Sequence, residues 1–178
     1  MKGTKVRRLN RTLIHKGAII DYYQDEMQIP NGNVANWDFI DHKGAAACVA
    51  VKENGNLLMV KQYRNALERD TIEIPAGGLN SGEDTQTAAM RELEEETGYR
   101  ASKCRFLLTI RTTVAFCNEK IDIYLAEDLK KTGQHLDEDE YVEVLEYSPD
   151  ELLAMIKDGT IQDGKTVSAL LAYAEFMK

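Results

Sequence analysis

Apolar and polar positions alternate in short runs through most of the chain, and three segments carry helical spacing instead. Ile19 to Ile29 and Val34 to Ile40 flank Pro30-Asn31-Gly32-Asn33, a strong turn signal, so the pair reads as a hairpin. The basic stretch before it reads as a solvated strand. Gly44 is a break. Ala46 to Val51 is apolar at every position, as expected of a strand buried on both faces. Glu53-Asn54-Gly55-Asn56 turns the chain into Leu57 to Tyr63, a second hairpin. Thr71 to Ile74 is a short strand stopped by Pro75, and Ala76 to Gly82 reads as a loop.

Asp84 to Thr97 is the clearest helix. An acid starts it, Ala88, Ala89 and Leu93 form its buried stripe, and Gly98 stops it. Strands follow at Phe106 to Arg111, Ile121 to Ala126 and Tyr141 to Tyr147, with an acidic loop from Gly133 to Glu140. Pro149 to Lys157 and Thr166 to Met177 have amphipathic helical spacing. The expected fold class is α/β: a sandwich core over residues 44–178, with residues 1–43 as an all-strand antiparallel appendage.

Composition narrows the function classes. Of 178 residues, 43% are hydrophobic and 29% charged, the balance of a globular protein rather than a disordered or fibrous one. A net charge of -8 argues against a chain held to nucleic acid by bulk electrostatics. Cys48, Cys104 and Cys117 are odd in number and widely spaced, which suggests neither a disulfide framework nor a zinc knuckle. A reducing, cytoplasmic setting is expected. The longest apolar run, Ala45 to Val51, is too short to span a bilayer, so no membrane partner is expected.

The chemistry concentrates in Arg91-Glu92-Leu93-Glu94-Glu95-Glu96-Thr97-Gly98. Glu92, Glu95 and Glu96 share one helix face. Like charges at that spacing cost about 0.2–0.5 kcal/mol per pair. They also sit at the end of the helix whose dipole disfavours anions. Such a face is either solvated or holds cations. Oxygen ligands without His or Cys select Mg²⁺, Mn²⁺ or Ca²⁺ over zinc.

The spacing resolves the choice. Gly77-x5-Glu83-x7-Arg91-Glu92-Leu93-x-Glu95-Glu96-x-Gly98-Tyr99 resembles the full Nudix box, with seven fixed letters matched. Chance agreement is on the order of 10⁻⁸ per starting position. Only Tyr99 departs, where an aliphatic residue is more usual. Leu57 to Arg64, Ile72 to Gly77, the strand-rich first 43 residues and the segment Asp137 to Val144 are similar to the ADP-ribose pyrophosphatase branch.

This resemblance implies an α/β/α sandwich with a mixed sheet. It implies that Glu92, Glu96 and the carbonyl of Ala76 ligate Mg²⁺, with Mn²⁺ an alternative, and that Glu95 ligates or supports a second ion. Glu83 would lie near the metals and Arg91 would tie the glutamates in place. Arg64 would bind phosphate, and Glu73 the water at the metals or the terminal ribose. Trp37 would stack on the base, or else pack in a core or dimer interface. Glu140 would be the general base, with Glu138 second. Arg111 to Glu119 lies where related enzymes carry Ser-Pro-Gly before an aromatic and an acid. Phe116, Cys117 and Glu119 fit, and the missing Pro-Gly leaves the sugar open. Cys117 has no indicated His partner and reads as packing.

The implied reaction is hydrolysis of a nucleoside diphosphate derivative, ADP-ribose to AMP and ribose 5-phosphate first, by a homodimer. UDP- or GDP-sugars are the alternative substrates. A non-catalytic Nudix-like nucleotide sensor is the rival of another class.

Overall fold

The computed structural model describes residues 5–136, 138 and 140–176. By contacts the chain divides into two compact units.

The first unit holds the residues up to Gly44 together with Arg111–Glu119. Its antiparallel sheet is β1 (Arg7–Lys16), β2 (Ile20–Gln28) and β3 (Val34–His42), in that order. The basic segment is thus a paired strand. Gly32, at φ 93°, supplies the left-handed residue of the β2–β3 turn. Inside the sheet, Asp25 is buried and accepts from Arg11 Nε and Nη2, both at 2.6 Å. The Arg11 guanidinium also lies 3.6 Å from the Phe39 ring centroid. The guanidinium is thus both paired with a carboxylate and stacked on a ring. Arg111–Glu119, expected to run with the larger domain, groups here because Ile40 N–H donates to Phe116 O (2.7 Å) and His42 N–H to Asn118 Oδ1 (2.8 Å).

The second unit comprises Ala45–Ile110 and the residues from Lys120 onward. Its strands are β4 (Ala45–Val51), β5 (Leu57–Arg64), β6 (Arg69–Glu73), β7 (Ala76–Gly78), β8 (Tyr99–Arg111), β9 (Lys120–Lys131) and β10 (Val142–Tyr147). Its helices are α1 (Thr85–Thr97), α2 (Pro149–Lys157) and α3 (Gly164–Phe176). The sheet order is β10-β5-β4-β9-β8, with β6 on β5 and β7 on β4. β4 and β9 are parallel and the registered pairs around them antiparallel, so the sheet is mixed.

β4 explains the layering. Ala46, Cys48 and Ala50 pack with Ala88, Ala89 and Leu93 of α1, while Ala47 and Val49 pack with Leu152 of α2 and Ala169 and Leu170 of α3. Both faces are covered, which is why the run Ala45–Val51 shows no alternation. The fold is an α/β/α sandwich. Small side chains on the α1 side allow that helix to lie close to the sheet.

β9 runs on to Lys131 and α3 starts at Gly164, and two further strands differ from expectation. Ala76–Gly78 is a short strand rather than part of a loop, because Ala45, Ala46 and Ala47 of β4 pair with it. β8 begins at Tyr99 rather than near Phe106. It lies at the sheet edge, where its open flank suits Arg100, Ser102, Lys103 and Arg105 and hides the alternation.

Candidate active site

The site is built on α1. Asp84 caps its start, accepting from Gln86 N–H and Thr87 N–H, and Gly98 ends it at φ 70° with its N–H on Glu94 O. Between these caps the helical period brings Glu92, Glu95 and Glu96 to one face, and Arg91 binds across it. Arg91 Nη1 donates to Glu92 Oε1 (2.7 Å) and Glu95 Oε2 (2.8 Å). Its Nε and Nη2 donate to Glu83 (2.9 and 3.0 Å), and Nη2 also to Gly78 O (3.0 Å). One guanidinium thus holds three carboxylates and the backbone of β7.

Glu96 has a different surrounding. It is 3% exposed and accepts from Ala76 N–H (2.9 Å). Burial pushes its pKa up to about 8; the Ala76 bond opposes this, and the charges of Glu92 and Glu140 add to it. Burial also raises Glu92, against the pull of Arg91. Glu83 is lowered by Arg91 and by Asn80 N–H. A buried carboxylate beside two more, with one arginine shared among the others, is short of positive charge. The all-oxygen donor set suits Mg²⁺ or Mn²⁺. Among the described residues no three acidic, His or Cys side chains already close on one point. Glu92 and Glu95 are turned to Arg91.

Next to this face lies a second charged cluster. Glu73, 2% exposed, accepts from Arg64 Nε (2.7 Å) and Nη2 (2.5 Å), from Thr71 Oγ1 (2.6 Å) and from Lys165 Nζ. Burial would raise its pKa, but these donors outweigh it and hold it at about 2. The charges of Glu96 on Arg64, and of Lys165 on Glu96, show that the two clusters adjoin. Lys165 and its partner Asp163 escaped the sequence reading, since Lys165 stands 92 residues from Glu73. The available signal was a lysine in the first turn of a helix, where the dipole disfavours a cation.

Thr132 to His135, the segment that leads into the acidic residues, is fastened to the end of α1. Thr132 N–H donates to Gly98 O (2.8 Å), His135 N–H to Glu95 O (2.9 Å), and Gln134 Nε2 to both Glu96 O (2.7 Å) and Val142 O (3.1 Å). Glu140 bears electrostatically on Glu92 and Glu96. Glu138 is exposed, and Asp137 and Asp139 lie outside the described residues. Arg64, Glu73, Ala76, Arg91, Glu92, Glu95, Glu96 and Glu140 thus gather in the second unit.

Trp37 and Glu119 belong to the first unit. Trp37 stands on β3 with 45% of its surface exposed. Glu119 accepts from Thr112 Oγ1 (2.5 Å) and lies 3.5 Å from His42 Nδ1.

Comparison with known proteins gives the family. Residues 41–170 match the NUDIX domain. The ADP-ribose pyrophosphatase of Bacillus subtilis (strain 168) is 38% identical over 172 residues, covering 96% of this chain and 93% of that protein. The methanol dehydrogenase activator of Bacillus methanolicus is 40% identical over 159 residues, covering 88% and 86%. A solved structure described as an ADP compounds hydrolase shares the fold at a TM-score of 0.86, with 22% identity and coverage of 97% and 94%. With a family match over most of its length and its box residues gathered round Arg91, the chain belongs to the Nudix hydrolase family.

Proposed function

We propose that the protein is a Mg²⁺-dependent pyrophosphohydrolase that splits ADP-ribose into AMP and ribose 5-phosphate. The observation that carries this reading is Glu96, a buried carboxylate with a raised pKa beside Glu92 and Glu95. Its similarity to ADP-ribose pyrophosphatases supports the substrate. Glu92, Glu95, Glu96 and the Ala76 carbonyl would hold Mg²⁺, with Mn²⁺ able to replace it. The ion would neutralise pyrophosphate charge and activate water. Arg91 keeps the carboxylates in place. Glu73 occupies the Nε and Nη2 edge of Arg64, so Arg64 would meet phosphate with the guanidinium N–H groups that this pair leaves over; Glu73 is also proposed to bear on the water or ribose. Water oxygen bonds to phosphorus, the bridging P–O bond breaks, and Glu140 takes the water proton, with Glu138 as the second candidate.

Trp37 offers an indole face for base stacking, and Glu119 is proposed to meet the sugar. The missing Pro-Gly before Glu119 keeps UDP- and GDP-sugars as the alternative substrates. The intact set of box glutamates disfavours a non-catalytic sensor. Exposed Leu9, Leu13, Ile14 and Val34 on the three-stranded sheet support a homodimer. Among the described residues no helix is long and apolar enough to cross a membrane. Three free cysteines fit a cytoplasmic setting.

The test is a panel of nucleoside diphosphate derivatives assayed with Mg²⁺, with products separated by chromatography. ADP-ribose is expected to be the best substrate, and Glu96→Gln to lower kcat by about 10²-fold or more while the protein stays folded. Full activity in excess chelator overturns the reading.

A further inference from the structure

The Glu73 carboxylate is locked at both oxygens. Oε1 accepts from Arg64 Nε and Thr71 Oγ1, and Oε2 from Arg64 Nη2 and Lys165 Nζ. Lys165 is itself fixed by Asp163 Oδ2 (3.0 Å). The same Asp163 oxygen accepts from Thr166 N–H (3.0 Å) and Thr166 Oγ1 (2.6 Å) at the start of α3. Thr166 Oγ1 in turn accepts from Ile74 N–H (3.1 Å). The first turn of α3 therefore grips both the side chain of Glu73 and the backbone of the next residue, two positions before Ala76.

Burial falls on one side of this cluster. The side chains of Glu73 and Lys165 are 2% and 11% exposed, whereas that of Arg64 is 41% exposed. The clamp is buried and Arg64 is the more open member of the cluster. An arginine that must seize phosphate from solution loses rotamer freedom on binding. One already held by a fixed carboxylate has lost it beforehand. A buried cation in the first turn of a helix works against the dipole, so its place is set by Glu73 and Asp163 rather than by the helix.

We propose that Lys165 is a positioning residue of the site: it fixes the Glu73 carboxylate, and through it the pose in which Arg64 meets the substrate's pyrophosphate. The inference rests on the proposed hydrolysis of a nucleoside diphosphate derivative. Lys165 bonds Glu73 and reaches Arg64 only through it, so its loss is expected to tell on binding more than on the chemical step.

The experiment is a double-mutant cycle with Arg64→Ala, Lys165→Met and both together, alongside Lys165→Arg. KM and kcat for ADP-ribose are measured with Mg²⁺, and inorganic pyrophosphate binding with Mg²⁺ is measured by calorimetry. Lys165→Met is expected to raise KM about tenfold with kcat changed less than about threefold, and Lys165→Arg to recover most of the loss. In the Arg64→Ala background, Lys165→Met should add less than about a twofold change. Penalties that multiply in the double variant, or an unchanged KM in Lys165→Met, overturn the proposal. If circular dichroism shows Lys165→Met unfolded, Lys165→Gln, which keeps a donor without the charge, completes the cycle. Coupling in pyrophosphate affinity without ADP-ribose turnover would remove the substrate and keep Lys165. Turnover without coupling would do the reverse.

Discussion

The carboxylate of Glu92 rests so closely against Gly77 that a Cβ at position 77 would overlap its Cδ and both oxygens. Gly77 is not among the glycines at positive φ, so the demand is for space and not for an unusual backbone. This gives a physical reason for the first glycine of the box. Gly77→Ala should displace Glu92, cutting Mg²⁺-dependent turnover by about 10²-fold or more with the fold retained. Assay and circular dichroism of the variant check it; wild-type turnover would mean Glu92 can move without loss.

The general base is tested at Glu140 and Glu138. Glu140→Gln should lower kcat by about 10²–10⁴-fold, with substrate and metal affinity largely kept. A loss under about tenfold, beside a large loss for Glu138→Gln, would transfer the role to Glu138. Small losses in both would leave activation of water to the metals and the box glutamates.

Trp37 separates two roles. If its exposed face stacks on the base, Trp37→Ala weakens nucleotide binding by about 1–3 kcal/mol and leaves the chemical step nearly intact. Calorimetry with AMP and sedimentation of the variant decide the matter. A monomeric variant at unchanged affinity would assign the tryptophan to an interface.

Glu73 should leave a mark on acid stability. Its pKa is held at about 2 against an ordinary value of 4.5. A depressed carboxylate contributes stability above its unfolded pKa and loses it as pH falls through the folded one. The advantage of wild type over Glu73→Gln should therefore be full at neutral pH and shrink from about pH 4.5 toward pH 2. Urea unfolding of both proteins at several pH values measures it. A constant difference would show that the carboxylate is not held by its charge.

What local chemistry specifies was legible in the sequence. The α1 period places Glu92, Glu95 and Glu96 on one face in any helix, and Asp84 and Gly98 mark its ends. The same holds for Pro149–Lys157, which Ser148 and Glu151 close with a capping box, and for the turn at Gly32. The box spacing points to the carboxylates of α1 from the sequence alone. The tertiary structure decided what depends on distant partners. β7 exists because β4 runs beside it. Glu73 is locked by Lys165 across 92 positions. Arg111–Glu119 groups with the first unit through Ile40 and His42. Caps, turns and helical faces follow from residues a few positions apart, whereas strand pairing and buried ion clusters join residues whose separation leaves no period to read.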